Sequence, residues 1–286
     1  MHRFPTAALL AAGTALALSA APALAQEGGS AYDGPYVGVT VGGSIQENDR
    51  QDRVIFDTDL NGSFGDTVRT TTGADAFSPG FCNGFGLSTR PAAAGGNPCR
   101  NDKDGREFAG RVGWDGTYSG HFVAGVLIEG STTTARDFTS AFSTTPAVYV
   151  FSRGLDYAIS ARGRFGYTPD GNGLFYVTGG PAYGKLKHRF STTNTANTFT
   201  QTGGDSDWGF QFGGGAEYTL ANGLGAGLEY VYQKYNDKDY FVAIGPGSAP
   251  ATNPFRVRNP NGTNFRPSDD DFDFHSIRAT LTYHFR

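Results

Sequence analysis

Polarity alternates from residue to residue along LDYAISARGRFGY, Leu155 to Tyr167. Successive side chains of a strand point to opposite faces. A strand here gathers Leu155, Tyr157, Ile159, Ala161, Gly163, Phe165 and Tyr167 on an apolar face, and Asp156, Ala158, Ser160, Arg162, Arg164 and Gly166 on the other. A soluble, half-buried strand would turn the apolar face to a core and the arginines to water. A membrane barrel reads the same alternation inside out, with apolar residues on lipid and charges in the lumen.

Seven further segments alternate in the same way, at 34–45, 107–115, 121–131, 174–187, 207–219, 224–235 and 272–285. Their lengths are near the roughly 9–11 residues that a tilted strand needs to cross a bilayer. In the first, Val37, Val39 and Val41 share a side; in the last, Ile277, Ala279, Leu281, Tyr283 and Phe285 face away from Arg278, Thr280 and Thr282. The segment 174–187 has no clear apolar face, and Pro181 within it marks a bulge or the loss of one ladder bond.

Three connections, GTYSG, TPDGNG and LANG, are short and built of turn formers. Four are long and polar, at roughly 46–106, 132–153, 188–206 and 236–271. Short turns on one rim and long loops on the other are the mark of a bacterial outer-membrane barrel. The pattern predicts an all-β chain: an eight-stranded antiparallel up-and-down transmembrane β-barrel with four long extracellular loops and three short periplasmic turns. A soluble lipocalin-like barrel would explain the strands but not four long loops on one rim.

The N-terminus, MHRFPTAALLAAGTALALSAAPALA, has a basic start, an apolar run and small residues at Ala23 and Ala25. It reads as a secretory signal peptide over 1–25, cut between Ala25 and Gln26. A short lead, 26–33, then precedes the barrel, 34–286. The 42 glycines and 14% aromatics fit a β-rich chain with few helix-forming runs. Loss of Arg3 with the leader makes the formal net charge one unit more negative than −4, so no basic excess points to nucleic acid. Cys82 and Cys99 both fall in the first loop of an exported chain, where a disulfide is the default and would contribute about 3 kcal/mol by loop closure. Two free thiols are the alternative.

The polar faces place Arg111, Glu129, Asp156, Arg162, Arg164, Glu217, Glu229 and Arg278 in the lumen, four charges of each sign. An eight-stranded barrel is just wide enough for side chains to fill it. An unpaired buried ion costs several kcal/mol, so these groups are expected to pair, with Glu229 and Arg278 close together. Full filling favours a polar plug over a gated pore. Tyr32 and Tyr36, with Tyr218, Tyr283 and Phe285, are expected in the periplasmic aromatic girdle.

The phrases ARGRFGYTPDGNGLFYVTGGPAYGKLK, WGFQFGGGAEYTL, GLGAGLEYVYQKY and IRATLTYHF resemble, in order and spacing, the small outer-membrane β-barrel proteins of the porin family. These are relatives of the OmpA-type transmembrane barrel, abundant in alphaproteobacteria. The resemblance spans the mature chain. It implies residence in the bacterial outer membrane, insertion by the barrel assembly machinery, and roles that are structural, adhesive or, in some members, haem-binding. It also implies an assembly signal at the closing aromatics, here Tyr283 and Phe285, although Arg286 follows them.

Lipid-modifying barrels need a nucleophilic serine beside a histidine and a carboxylate. His275 directly precedes Ser276, but neighbours on a strand diverge, and no enzyme is expected. Asp269, Asp270 and Asp271 offer oxygen ligands for a hard cation. A run of like charge is more simply a solvated loop, so no metal or other cofactor is expected. Arg256, Arg258 and Arg266 suit the phosphates of lipopolysaccharide, which with outer-membrane lipid is the expected surrounding. The expected protein is a monomeric outer-membrane barrel with a structural or surface-interaction role carried by its loops. A narrow passive channel and a surface receptor for haem or another small ligand are the alternatives.

Overall fold

The computed structural model describes residues 30–48, 52–77, 101–144 and 147–285. The cleavage expected at Ala25 and Gln26 and the pair Cys82 and Cys99 lie outside the described residues. The strands are β1 (Gly34–Ile45), β2 (Val54–Asp57), β3 (Gly105–Tyr118), β4 (Phe122–Thr133), β5 (Asp137–Ser143), β6 (Ala147–Arg153), β7 (Leu155–Tyr167) and β8 (Gly173–Leu186). There follow β9 (Arg189–Thr192), β10 (Thr198–Thr202), β11 (Ser206–Thr219), β12 (Leu224–Asn236), β13 (Phe241–Gly245), β14 (Thr263–Pro267) and β15 (Asp271–His284). The chain forms a closed antiparallel barrel of eight strands, β1, β3, β4, β7, β8, β11, β12 and β15. Each barrel strand pairs with the next along the chain, and β15 returns to β1.

Period two sorts every barrel strand into two faces. Val39, Val41, Phe108, Val112, Val126, Ile128, Phe165, Leu228 and Leu281 are exposed on the outside, where a soluble protein would carry polar groups. Exposed aromatics ring both ends of this surface: Tyr118, Phe122, Tyr167, Phe175, Tyr218, Tyr283 and Phe285 near the short turns, and Tyr157, Tyr183, Trp208 and Phe210 near the long loops. The connection after β3 is three residues, 119–121, with φ of 52° at Ser119 and 75° at Gly120, left-handed positions that fit a tight hairpin turn.

Three expectations are corrected. Asp156 is not lumenal: the β7–β8 register shifts between Leu155 and Tyr157, so Leu155 points inward and Asp156 pairs with Lys187 on the outer surface. Such a bulge adds one residue to one strand and flips parity beyond it. Tyr32 and Tyr36 are not girdle residues; they are 0% and 1% exposed and close the lumen at the short-turn end. The long connections, read as polar loops, instead carry seven of the strands. At Pro181 the β7–β8 register is unchanged on either side, so the proline removes ladder bonding without a bulge.

The loop strands form two sheets, one in the order β10-β13-β14-β2 and one in the order β5-β6-β9. Between them, with the short helix α1 (Pro254–Val257), lies a core that includes Val54, Phe56, Phe77, Tyr149, Phe151, Val242, Ile244, Phe255 and Phe265. Phe265 is at its centre, with ring centroids 4.9 to 6.4 Å from Phe56, Tyr149, Phe151, Phe190, Phe199 and Phe255. All four loops contribute, making one domain over the barrel mouth.

Candidate functional site

The lumen is layered. Next to the loop domain, Leu155, Ala158, Ala182, Leu186, Tyr235, Phe272 and Phe274 pack into an apolar layer. Below it, Glu107 accepts from Gln233 at 2.8 Å and from the Ser276 hydroxyl, and Arg278 Nη1 lies 2.8 Å from its Oε1. At the centre, Arg278 also meets Glu129 at 2.9 Å and pairs with Glu229, its register partner across β12 and β15. Arg111 Nη2 stands 2.7 Å from both Glu129 and Glu229, and Arg162 Nη2 is 2.9 Å from Glu129.

Nearer the short turns, Arg164 pairs with Glu217 at 3.1 Å and with Asp115 at 3.5 Å. Its guanidinium lies 4.2 Å from the Tyr176 ring centroid and 5.4 Å from that of Tyr36, which suits a cation over an aromatic face. Glycine makes room for these rings: a Cβ on Gly113 would come within 2.5 Å of Tyr36, and one on Gly215 within 2.8 Å of the Tyr176 hydroxyl. Ala31, Tyr32, Val123, Leu174 and Tyr176 close this end.

Arg162 and Arg164 thus belong to two consecutive layers of one network. The side chains of Arg111, Arg162, Arg164, Arg278, Asp115, Glu129 and Glu229 each have 0% accessible surface. A wide water-filled passage would leave them accessible; here protein atoms pack around the charges. Sequence reasoning missed Glu107, Asp115 and His284. The first two share the inward parity of Arg111 on β3, and His284, 2.9 Å from Glu217, shares that of Thr282.

The other charged cluster lies outside the barrel strands, where the loop domain meets the mouth. Arg153 is 4% exposed. It pairs with Asp137, with Asp237 at 3.1 Å and with Asp269 at 2.6 Å. His188 Nε2 lies 2.9 Å from Asp237, and its ring stacks on Tyr240 with centroids 4.0 Å apart. Asp52, 6% exposed, accepts from the Ser268 hydroxyl at 3.2 Å. Burial and the neighbouring Asp137 push its carboxyl up to about 7.

The remaining candidates are engaged by the protein itself. Asp269 and Asp271 are held by Arg153 and Lys234 at 2.6 and 2.7 Å. In a second acidic group, Asp57 accepts from the amides of Asn61 and Gly62, and Asp66 from Thr58. Arg256 donates to backbone carbonyls, and Arg266 donates to the Lys238 carbonyl and covers the Phe64 ring at 4.7 Å. Arg258, 3.7 Å from Asp59, has a side chain 69% exposed. His275 faces outward against Tyr230, 2.6 Å away, while Ser276 faces the lumen, so the two share no site.

A family model described as the outer membrane protein beta-barrel domain matches residues 11–285. The chain belongs to this family. It is an outer-membrane barrel, with its short turns toward the periplasm and its loop domain outside the cell. Two proteins described as 31 kDa outer-membrane immunogenic protein, from Brucella melitensis biotype 1 and Brucella suis biovar 1, are 36% identical over 73 residues. That stretch is 26% of this chain and 30% of theirs. Among solved structures, the outer membrane protein OprG from Pseudomonas aeruginosa is similar with a TM-score of 0.47 and 11% identity, covering 90% of this chain and 99% of that one. Ail, the attachment invasion locus protein of Yersinia pestis, follows with a TM-score of 0.30 and 9% identity, covering 88% and 99%.

Proposed function

We propose that this barrel is a closed anchor and that its loops act as one surface domain for contact with partners outside the cell. The observation that carries the reading is the shared aromatic core, to which all four loops contribute. A chain under no demand beyond spanning the membrane has no need to bury so much aromatic surface above it. The Brucella relatives are described as immunogenic, which accords with loops displayed at a surface. On this reading the barrel conducts nothing, because apolar layers bound a closely packed lumen of paired charges.

The protein works as a monomer, is inserted by the barrel assembly machinery through its Tyr283 and Phe285 end, and stands among lipopolysaccharide with Arg258 turned outward. It carries out no catalysis and holds no cofactor. A receptor for a small ligand is the second reading. It draws on an open cleft of about 590 Å³ in the loop domain, lined by Thr58, Asp66, Thr67, Arg69, Pro254 and Arg258 among others.

The test compares the full chain with a variant whose loops are replaced by short turns, each displayed on cells and each reconstituted in planar bilayers. Both should migrate as heat-modifiable barrels and show no steady conductance. Only the full chain should increase cell retention on a solid surface. Steady conductance from the full chain, or undiminished retention without loops, would overturn the reading.

A further inference from the structure

All four loops converge on the Arg153 junction, and its charges do not balance. Four carboxylates, Asp52, Asp137, Asp237 and Asp269, are gathered around one guanidinium. Four of the five N–H donors of that guanidinium are engaged by other acceptors: Nε by Asp137, Nη1 by Asp237 and the Asp269 carbonyl, Nη2 by Asp269. Asp52 comes from the first loop, at the foot of β2, and forms no ion pair among the described residues. It is fixed between the second and fourth loops by Thr139 and Ser268, and the Arg53 amide donates to Ser268 Oγ at 3.0 Å. A surplus negative charge here would be buried beside Asp137 and Asp269 with only hydroxyl donors to offset it, which costs several kcal/mol, whereas a protonated carboxyl carries no charge to compensate.

We propose that this junction is a proton-dependent latch: it holds the loop domain closed on the barrel mouth while Asp52 carries its proton, and loosens when that proton passes to water. The groups facing Asp52 are Asp137 and Thr139 from β5, Arg153 from β6, and Ser268 and Asp269 from the fourth loop. On the far side of Arg153 lie Asp237 and His188, whose Nδ1 is 3.6 Å from Asp205. Because the closed form raises the Asp52 carboxyl to about 7, it retains a proton that an opened form releases near the ordinary aspartate value of about 3.9. The latch is therefore firmest at and below about pH 4, weakens as pH rises, and is at its weakest above about pH 7. Asp269, also raised by burial, acts in the same direction.

The test is hydrogen exchange on the full chain refolded in detergent micelles, at about pH 5 and about pH 7.5, corrected for intrinsic exchange rates. Opening of β5, β6, β13 and β14 should rise at least about tenfold between the two, with β3 and β4 unchanged. Asp52→Asn should cut the rise to the smaller part that Asp269 contributes, and Asp52→Ala gives a second reading if the amide variant does not fold. His188→Gln should leave the rise in place. Equal protection of the loop strands at both pH values, a rise undiminished in the Asp52 variants, or one that disappears only in His188→Gln would overturn the latch.

Discussion

The barrel and the loop domain are built by the same alternation with opposite polarity. On β4, Val126 and Ile128 point out and are exposed while Glu129 is buried; on β14, Phe265 points in at 0% exposure. Backbone geometry supplies the period in both. What differs is the surrounding medium. Lipid solvates apolar side chains and leaves charges to find partners inside, whereas water drives the aromatics of the loop domain together. Polar closure in one region and apolar closure in the other are thus two answers to one constraint.

The sharpest way to break the comparison is to remove a charge from the lumen. Arg278→Met leaves Glu107, Glu129 and Glu229 short of a shared partner. It should cost about 3–5 kcal/mol of barrel stability, read by urea unfolding of the refolded protein in micelles. A loss below 1 kcal/mol would mean that water enters and replaces the pair.

Phe265→Ala should cost a similar amount, about 3–5 kcal/mol, but only in the loop domain. Protease sensitivity of the loops should rise while heat-modifiable migration of the barrel is retained. Loss of both together would show that the two regions fold as one unit.

Val126→Arg, on the lipid face of β4, should cost about 2–4 kcal/mol in a bilayer. The same change should matter far less to a strand bathed in water. The smallest effect belongs to Lys187→Ala, which removes the exposed pair with Asp156. It should change stability by less than about 1 kcal/mol.

The errors of the sequence reading have local causes. Tyr36 shares the parity of Thr40 and Ser44, opposite to Val37, Val39 and Val41, so strict alternation already placed it inside; proximity to the strand end suggested a girdle instead. Asp156 was misplaced because one extra residue at the start of β7 reverses parity, and nothing in LDY distinguishes a bulge from a regular strand. Glu107 and Asp115 were legible by parity with Arg111. Arg153 was not, because its partners Asp137, Asp237 and Asp269 are scattered over more than one loop.

The sequence by itself determined the eight crossing strands, their lipid and lumen faces, and the four arginines that had to be paired, because alternation is written residue by residue along each strand. Only the tertiary structure decided that the loops fold. Strands as short as VIFD and TNFRP carry too little pattern to declare themselves, and β2 meets β14 only after the barrel has brought the first and last loops to the same rim. The same closure decided the Arg153 junction, since polar groups from four separate connections acquire a common environment only when the strands between them have closed into a ring.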